Sequence, residues 1–321
     1  MPSMSDRLSE PAIVTPDDLA LTPGAPLKPD ARDRISEELA DYGCVLFRGF
    51  DLSTDKDFDD FIGGFGFENF RYDDSFSNAV RRNRTERVFT ANEAPPDVEI
   101  YLHHEMAQTL TFPTQLFFFC ETAPTEGGAT PICRSDLVLE ELTASNPDFV
   151  DALRQKGVRY RNTMPASEDR ASGQGRTWYQ TLSVDSAEAA EQKLTAMGYR
   201  YRWLDDQELS VQTPRLPAIC DFDAGTEVFF NQLVAAAAGW RDTADESETR
   251  LVFGDDTLID PSDLKLMIDV CYDCVHDVEW QQGDVALIDN LKVMHGRRPY
   301  RGNRSVLAAL CSPKSRYARP N

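Results

Sequence analysis

The apolar residues of this chain gather into short dense runs. Cys44-Val45-Leu46-Phe47, Leu116-Phe117-Phe118-Phe119-Cys120, the stretch 284–289 and the stretch 305–310 are the clearest. Runs this short, without polar alternation, suit strands covered on both faces. Longer helical patterns lie between and beside them. Residues 31–41 fit a helix ended near Gly43. A second pattern runs from Leu137 to about Gln155, with Ser135 or Asp136 as its cap, and a third from Pro261 to about Val275. Strands at both ends with helices packed around them predict a mostly β or α+β core.

Two segments lack such patterning. Residues 1–30 are rich in Pro, Asp and Ser and read as a loosely attached arm, leaving residues 31–321 as one domain. Residues 161–175 have little apolar periodicity, and a loop of that length is a candidate lid.

Charge then narrows the partners. The 54 acidic and 33 basic residues give a formal charge of −21, which repels nucleic acid and anionic lipid and leaves a small molecule as the expected ligand. No apolar stretch approaches the roughly 20 residues that span a bilayer, and the N-terminus lacks a secretory pattern, so a cytoplasmic location is expected. The seven cysteines, odd in number and mostly in apolar surroundings, read as reduced buried thiols.

The four histidines are the sharpest chemical signal. In His103-His104-Glu105, a strand would put His103 and Glu105 on one face, where an imidazole and a carboxylate can take adjacent positions on one metal. His295, after the buried stretch 284–289 and the turn-like Asp289-Asn290, is suited to supply a third ligand. Two histidines and one carboxylate form the facial triad of non-haem iron oxygenases, with room left for a bidentate 2-oxo acid and dioxygen. The tripeptide alone is weak evidence, because a solvated His-His-Glu is the plainer reading of it. Near His295 stand Arg297, Arg298, Arg301 and Arg304. Arg304, at the start of the last apolar run and on a strand expected beside the one that delivers His295, could clamp a distal carboxylate through two parallel hydrogen bonds.

Several ordered motifs resemble the taurine dioxygenase family of iron(II)/2-oxoglutarate enzymes over most of the chain. They are residues 42–50 (Tyr-Gly-Cys-Val-Leu-Phe-Arg-Gly-Phe), His103-x-Glu105 and Gly127-Gly128-Ala129-Thr130. Phe230-Asn231-Gln232, Trp280 to Asp284, Asp289-Asn290 and His295-Gly296-Arg297 complete the series. Thr130 follows His103 by 27 residues, a spacing the family shares. The resemblance implies a double-stranded β-helix (a jelly-roll, cupin-like fold), with iron bound by His103, Glu105 and His295. It also implies that Thr130 and Arg304, rather than Arg301, hold 2-oxoglutarate. The wording around His103, residues 116–120 and His295 is most similar to hydroxylases like the syringomycin aspartyl hydroxylase. Many of these act on amino acids, free or carrier-bound, in natural-product pathways. Taurine dioxygenases carry a further arginine four residues after the 2-oxoglutarate arginine; here that position is Ala308, which argues against a sulfonate. Related halogenases usually lack the carboxylate that Glu105 supplies, so hydroxylation is the expected outcome.

Alternatives remain open at this level. The same oxidant could desaturate or cyclise its substrate, the chain could be a non-catalytic β-helix protein binding a metal or small acid, or it could be a zinc hydrolase. Cys271, Cys274 and His276 could suggest zinc, but Met267, Cys271 and Cys274 share helical spacing and read as a core stripe, with His276 structural at the helix end. Arg81, Arg82, Arg84 and Arg87 form a basic run that is either a solvated face or an anion-recognising rim. His104, Gln108, Asn231 and Arg81 are the candidate substrate contacts, although regular strand alternation would turn His104 and Met106 away from the metal face.

Overall fold

The computed structural model describes residues 9–21, 27–71, 76, 81–167, 176–223, 226–239 and 250–316. Its centre is the twelve-residue strand Thr111–Thr122, which pairs antiparallel with Val285–Asp289 on one side and with Ser305–Ser315 on the other. Cys44–Phe47, Ala12–Val14 and Phe89–Thr90 complete a six-stranded major sheet. Leu116, Phe118 and Cys120 face the interior, with Ala286, Ile288, Val306, Ala308 and Leu310. Phe117 and Phe119 face outward with Val285, Leu287, Leu307 and Ala309, beneath side chains of the helices Pro29–Tyr42 and Asp55–Gly63. Both faces are covered, which is why these strands read as unbroken apolar runs.

A four-stranded minor sheet, in the order Val275–Val278, Thr130–Arg134, Val293–Arg297, Ile100–His103, closes the other side of the barrel. Ile132, Val278 and Val293 point into the shared interior. Leu102, Cys133 and Met294 point out into a second core with residues of the helices Ser135–Ser145, Leu233–Ala238 and Pro261–Asp273. A third sheet, in the order Leu251–Phe253, Val158–Met164, Leu209–Gln212, Arg200–Trp203, supplies much of one wall of the cavity described below. Two sheets, antiparallel but for one edge pairing, face each other across one core with helices outside and form the expected jelly-roll.

Several local expectations are corrected. The pattern 137–155 is two helices, Ser135–Ser145 and Pro147–Lys156, because Asn146-Pro147 breaks it and the Asn146 side chain caps the second. The first of the two has Arg134 at its N-cap, not Ser135 or Asp136. The third helix ends at Asp273, and His276 sits within the strand Val275–Val278. The N-terminal arm is partly built into the fold, since Ala12–Val14 pairs in parallel with Val45–Phe47. Residues 161–164 of the candidate lid are strand, paired with Leu209–Gln212. Residues 168–175 lie outside the described residues. Gly43 ends the first helix at φ 74°, as expected of a left-handed C-cap. All seven cysteines are buried and outside any disulfide. Among the described residues, no helix is long and apolar enough to cross a membrane.

Candidate active site

His103 and His295 are brought together by backbone register. Their strands pair antiparallel with His295 opposite His103, which places the imidazole centroids 4.4 Å apart. Glu105 arrives differently from the regular strand expected of it. The strand ends at His103, and the chain turns sharply, with Met106 in the left-handed region at φ 60°. Asn290 holds this turn. Its Oδ1 accepts from the Glu105 N–H at 2.7 Å, and its Nδ2 donates to the carbonyls of Glu105 at 3.0 Å and Pro113 at 2.7 Å. The carboxylate Oε2 then lies 4.0 Å from His103 Nε2 and 3.8 Å from His295 Nε2.

These atoms lie within 4.8 Å of one another, the one such group of ligating side chains found among the described residues. Burial pushes both imidazoles below their ordinary pKa, so near neutral pH each is uncharged. His103 Nδ1 lies 2.8 Å from the Tyr101 carbonyl; donating to it commits the proton there and leaves the lone pair on Nε2. That lone pair and a carboxylate oxygen therefore converge; Arg81 serves the carboxylate, but no described hydrogen bond serves His103 Nε2, which leaves the lone pair open to a metal. The donor set fits a metal such as iron(II). Arg81 closes the back of the site, its Nη2 standing 3.0 Å from both Glu105 oxygens.

A cavity of about 600 Å³ opens from this group. Thr130 and Arg304 line it, with Phe118 and Val306. Thr130 Oγ1 accepts the indole N–H of Trp280 at 3.0 Å, so its own hydroxyl hydrogen can turn to another acceptor. Arg304 donates Nε–H to the Gly128 carbonyl at 3.0 Å and lies over the Tyr300 ring, 5.5 Å from its centroid. Burial, with the nearby Arg297 charge, pulls Arg304 down to about 10, which still leaves it cationic near neutrality. Arg304 precedes the strand Ser305–Ser315 of the major sheet, not a neighbour of the His295 strand as the sequence suggests. His103 and His295 thus come from the minor sheet, and the arginine from the start of a major-sheet strand.

The other candidates divide. Gln108 lines the cavity, and its buried Oε1 has no hydrogen-bond partner in the protein. His104 faces away, fully buried, with Nδ1 2.6 Å from the Asn290 carbonyl and Nε2 3.1 Å from that of Phe229. Asn231 also lies off the cavity; it donates to the Ala218 carbonyl and accepts from the Leu233 N–H at the start of a helix. Neither His104 nor Asn231 is placed to touch a substrate. Of the basic run, Arg81 turns inward, while Arg82, Arg84 and Arg87 pair with Glu93, with Asp55 and Glu121, and with Asp59. Arg297 is buried and gives its terminal nitrogens to the carbonyls of Ala94, Pro95 and Val98, shaping the wall rather than facing a ligand.

Sequence reasoning did not assign roles to Asn290, Trp280 or Gly128. All three lie inside the motifs quoted above, so the signal was present without its meaning. Gly128, at φ 73°, is needed because a Cβ there would stand 2.8 Å from Pro124 Cγ, 3.0 Å from Tyr300 Cβ and 3.1 Å from Arg304 Cδ.

A jelly-roll with two histidines and a carboxylate gathered at a cavity, and a half-buried arginine lining the same cavity, is the architecture of a metal-dependent oxygenase. The chain belongs to the taurine catabolism dioxygenase TauD, TfdA family, which matches residues 6–310. A clavaminate synthase-like protein of Arabidopsis thaliana is 39% identical over 281 residues, covering 85% of this chain and 82% of the relative. The dapdiamide synthesis protein DdaC of Enterobacter agglomerans is 26% identical over 294 residues, covering 87% and 85%. A taurine dioxygenase from Burkholderia xenovorans shares the fold, with a TM-score of 0.54 at 15% identity over 97% of this chain and 92% of that one. The protein is accordingly an iron(II)- and 2-oxoglutarate-dependent dioxygenase that consumes O2 and acts on a small molecule.

Proposed function

We propose that the enzyme hydroxylates an unactivated C–H bond of a small amino-acid-like molecule, free or carrier-bound, with iron(II) held by His103, Glu105 and His295. The observation that carries this reading is the convergence of His103 Nε2, His295 Nε2 and a Glu105 oxygen in a buried pocket. When bound, iron and 2-oxoglutarate together reduce dioxygen to an oxidant able to take hydrogen from aliphatic carbon, releasing succinate and carbon dioxide.

The protein's part is placement and exclusion of water. His103, Glu105 and His295 would hold the metal at the cavity and leave it accessible to a 2-oxo acid and dioxygen. Arg304 and the Thr130 hydroxyl hold the distal carboxylate of 2-oxoglutarate, a charge-assisted pairing away from bulk solvent. Phe118, its ring centroid 5.1 Å from that of His295, and Val306 make the near wall apolar. The Gln108 amide, whose buried Oε1 lines the cavity, offers an acceptor for an amine or hydroxyl of the substrate. Ala308 stands where a sulfonate-binding arginine would be. The names of the Arabidopsis and Enterobacter relatives favour specialised metabolism.

The reading is tested by incubating the iron-loaded enzyme with 2-oxoglutarate, O2 and a panel of amino acids. Succinate formation that His295→Ala abolishes, with a product heavier by one oxygen, is the expected result. A product lighter by two hydrogens would move the assignment to desaturation or cyclisation. Succinate formation unaffected by the substitution would remove it.

A further inference from the structure

Arg81 is the one guanidinium in direct contact with the proposed ligand set among the described hydrogen bonds. Its Nη2 lies 3.0 Å from Glu105 Oε1 and 3.0 Å from Oε2, with side-chain exposures of 7% and 5% for the two partners. The guanidinium also sits over the Phe89 ring, 5.2 Å from the centroid, which fixes its plane. The two carboxylate oxygens are not equivalent in their surroundings. Oε2 lies 4.0 and 3.8 Å from the two imidazole Nε2 atoms, so it is the oxygen that faces the metal position.

A cation beside a dication site weakens metal binding through charge alone. Its presence there calls for a geometric benefit. A carboxylate can bind a metal through one oxygen or through both, and the second mode occupies a position that 2-oxoglutarate or O2 requires. We propose that Arg81 is a positioning residue that holds the Glu105 carboxylate in the orientation that turns Oε2 toward the metal position. The inference rests on the assignment of His103, Glu105 and His295 as the metal site. It replaces the sequence-based view of Arg81 as an anion-recognising rim for substrate. Asn290 fixes the Glu105 backbone and Arg81 fixes its carboxylate, which restrains both ends of a side chain that starts in a turn.

The test is titration of the metal-free full-length protein with manganese(II), followed by paramagnetic resonance, for wild type, Arg81→Gln, Arg81→Lys and His295→Ala. Each is followed by titration of the manganese-loaded protein with 2-oxoglutarate. Loss of a residue that orients a metal ligand weakens metal affinity by about 10- to 100-fold. Arg81→Gln is expected to show a loss in that range and weaker 2-oxoglutarate binding. Arg81→Lys, which keeps a charged donor, should recover a large part of both and shows that the loss is not misfolding. Wild-type binding that His295→Ala abolishes, together with an Arg81→Gln affinity within about twofold of wild type, would overturn the role of Arg81 and leave the metal site standing. Manganese affinity unchanged in His295→Ala would overturn both.

Discussion

Arg304→Gln separates anchoring of 2-oxoglutarate from every other function of the cavity. The native guanidinium is half-buried at the cavity wall and stays charged near neutrality even with its pKa drawn down to about 10. One of its N–H groups is already committed to the Gly128 carbonyl, so the terminal nitrogens are what a carboxylate would meet. Truncating one partner of a buried, hydrogen-bonded charge pair costs about 2–5 kcal/mol. At about 1.4 kcal/mol per tenfold, that corresponds to roughly 30- to 5,000-fold weaker binding. Glutamine can keep the bond to Gly128 and fills similar space, so collapse of the pocket does not confuse the result. The assay is calorimetric titration of the manganese-loaded, non-turning-over protein with 2-oxoglutarate. Manganese affinity should stay within about twofold, because no described hydrogen bond joins Arg304 to His103, Glu105 or His295. Arg301→Gln is the control. That arginine is 82% exposed, 3.5 Å from Glu126, and its loss should leave 2-oxoglutarate binding unchanged. An Arg304→Gln effect below about fivefold, or an equal loss in Arg301→Gln, would refute the anchoring argument.

Three further perturbations probe the supports of the site. Gly128→Ala forces a methyl against Pro124, Tyr300 and Arg304 in a left-handed backbone, so 2-oxoglutarate affinity should fall at least about tenfold with manganese binding preserved; equal affinity would contradict the crowding. Asn290→Leu removes three buried hydrogen bonds around Glu105 and Pro113, worth together about 3 kcal/mol. Urea unfolding should report that loss, with weaker metal binding; a change below about 1 kcal/mol would contradict it. His104 is held by burial down to about 3, below its ordinary value of 6.5, so acid protonates the unfolded chain first. Its contribution is complete above pH 6.5 and fades as pH falls, by about 2 kcal/mol at pH 5, and His104→Asn should make the pH dependence of urea unfolding shallower by that amount. Stability that His104 increases on acidification would mean a doubly protonated ring shared between its two carbonyl partners.

The parts of the fold that depend on local pattern were legible. Residues 44–47, 116–120, 285–289 and 305–310 are strands, and they read as unbroken runs because helices cover one face and the barrel interior the other. The Asn146-Pro147 break was written in the sequence too, but apolar spacing continues across it through Leu139, Leu142, Phe149 and Leu153, all in one core, and periodicity masked the punctuation. Arg304 was misplaced for a different reason. Which sheet a strand joins is a long-range choice, and in a jelly-roll successive strands alternate sides. Among the site residues, His103 and His295 were readable because few side chains suit a soft-to-borderline metal and their strands pair directly. Glu105 reaches the site for a reason the sequence hides, a left-handed turn fastened by an asparagine 185 residues away. Asn231 and Gln232 show the converse. A motif recognised as functional holds backbone in place, Gln232 donating to the His104 carbonyl at 3.0 Å.

The most direct test of the account is anomalous diffraction at the iron edge from crystals grown anaerobically with iron(II) and 2-oxoglutarate. A single strong peak is expected in bonding contact with His103 Nε2, His295 Nε2 and Glu105 Oε2, with the 2-oxo acid reaching from it toward Thr130 and Arg304. Iron bound elsewhere, or a His103–Glu105–His295 cluster that stays metal-free while iron is present in excess, would contradict the account.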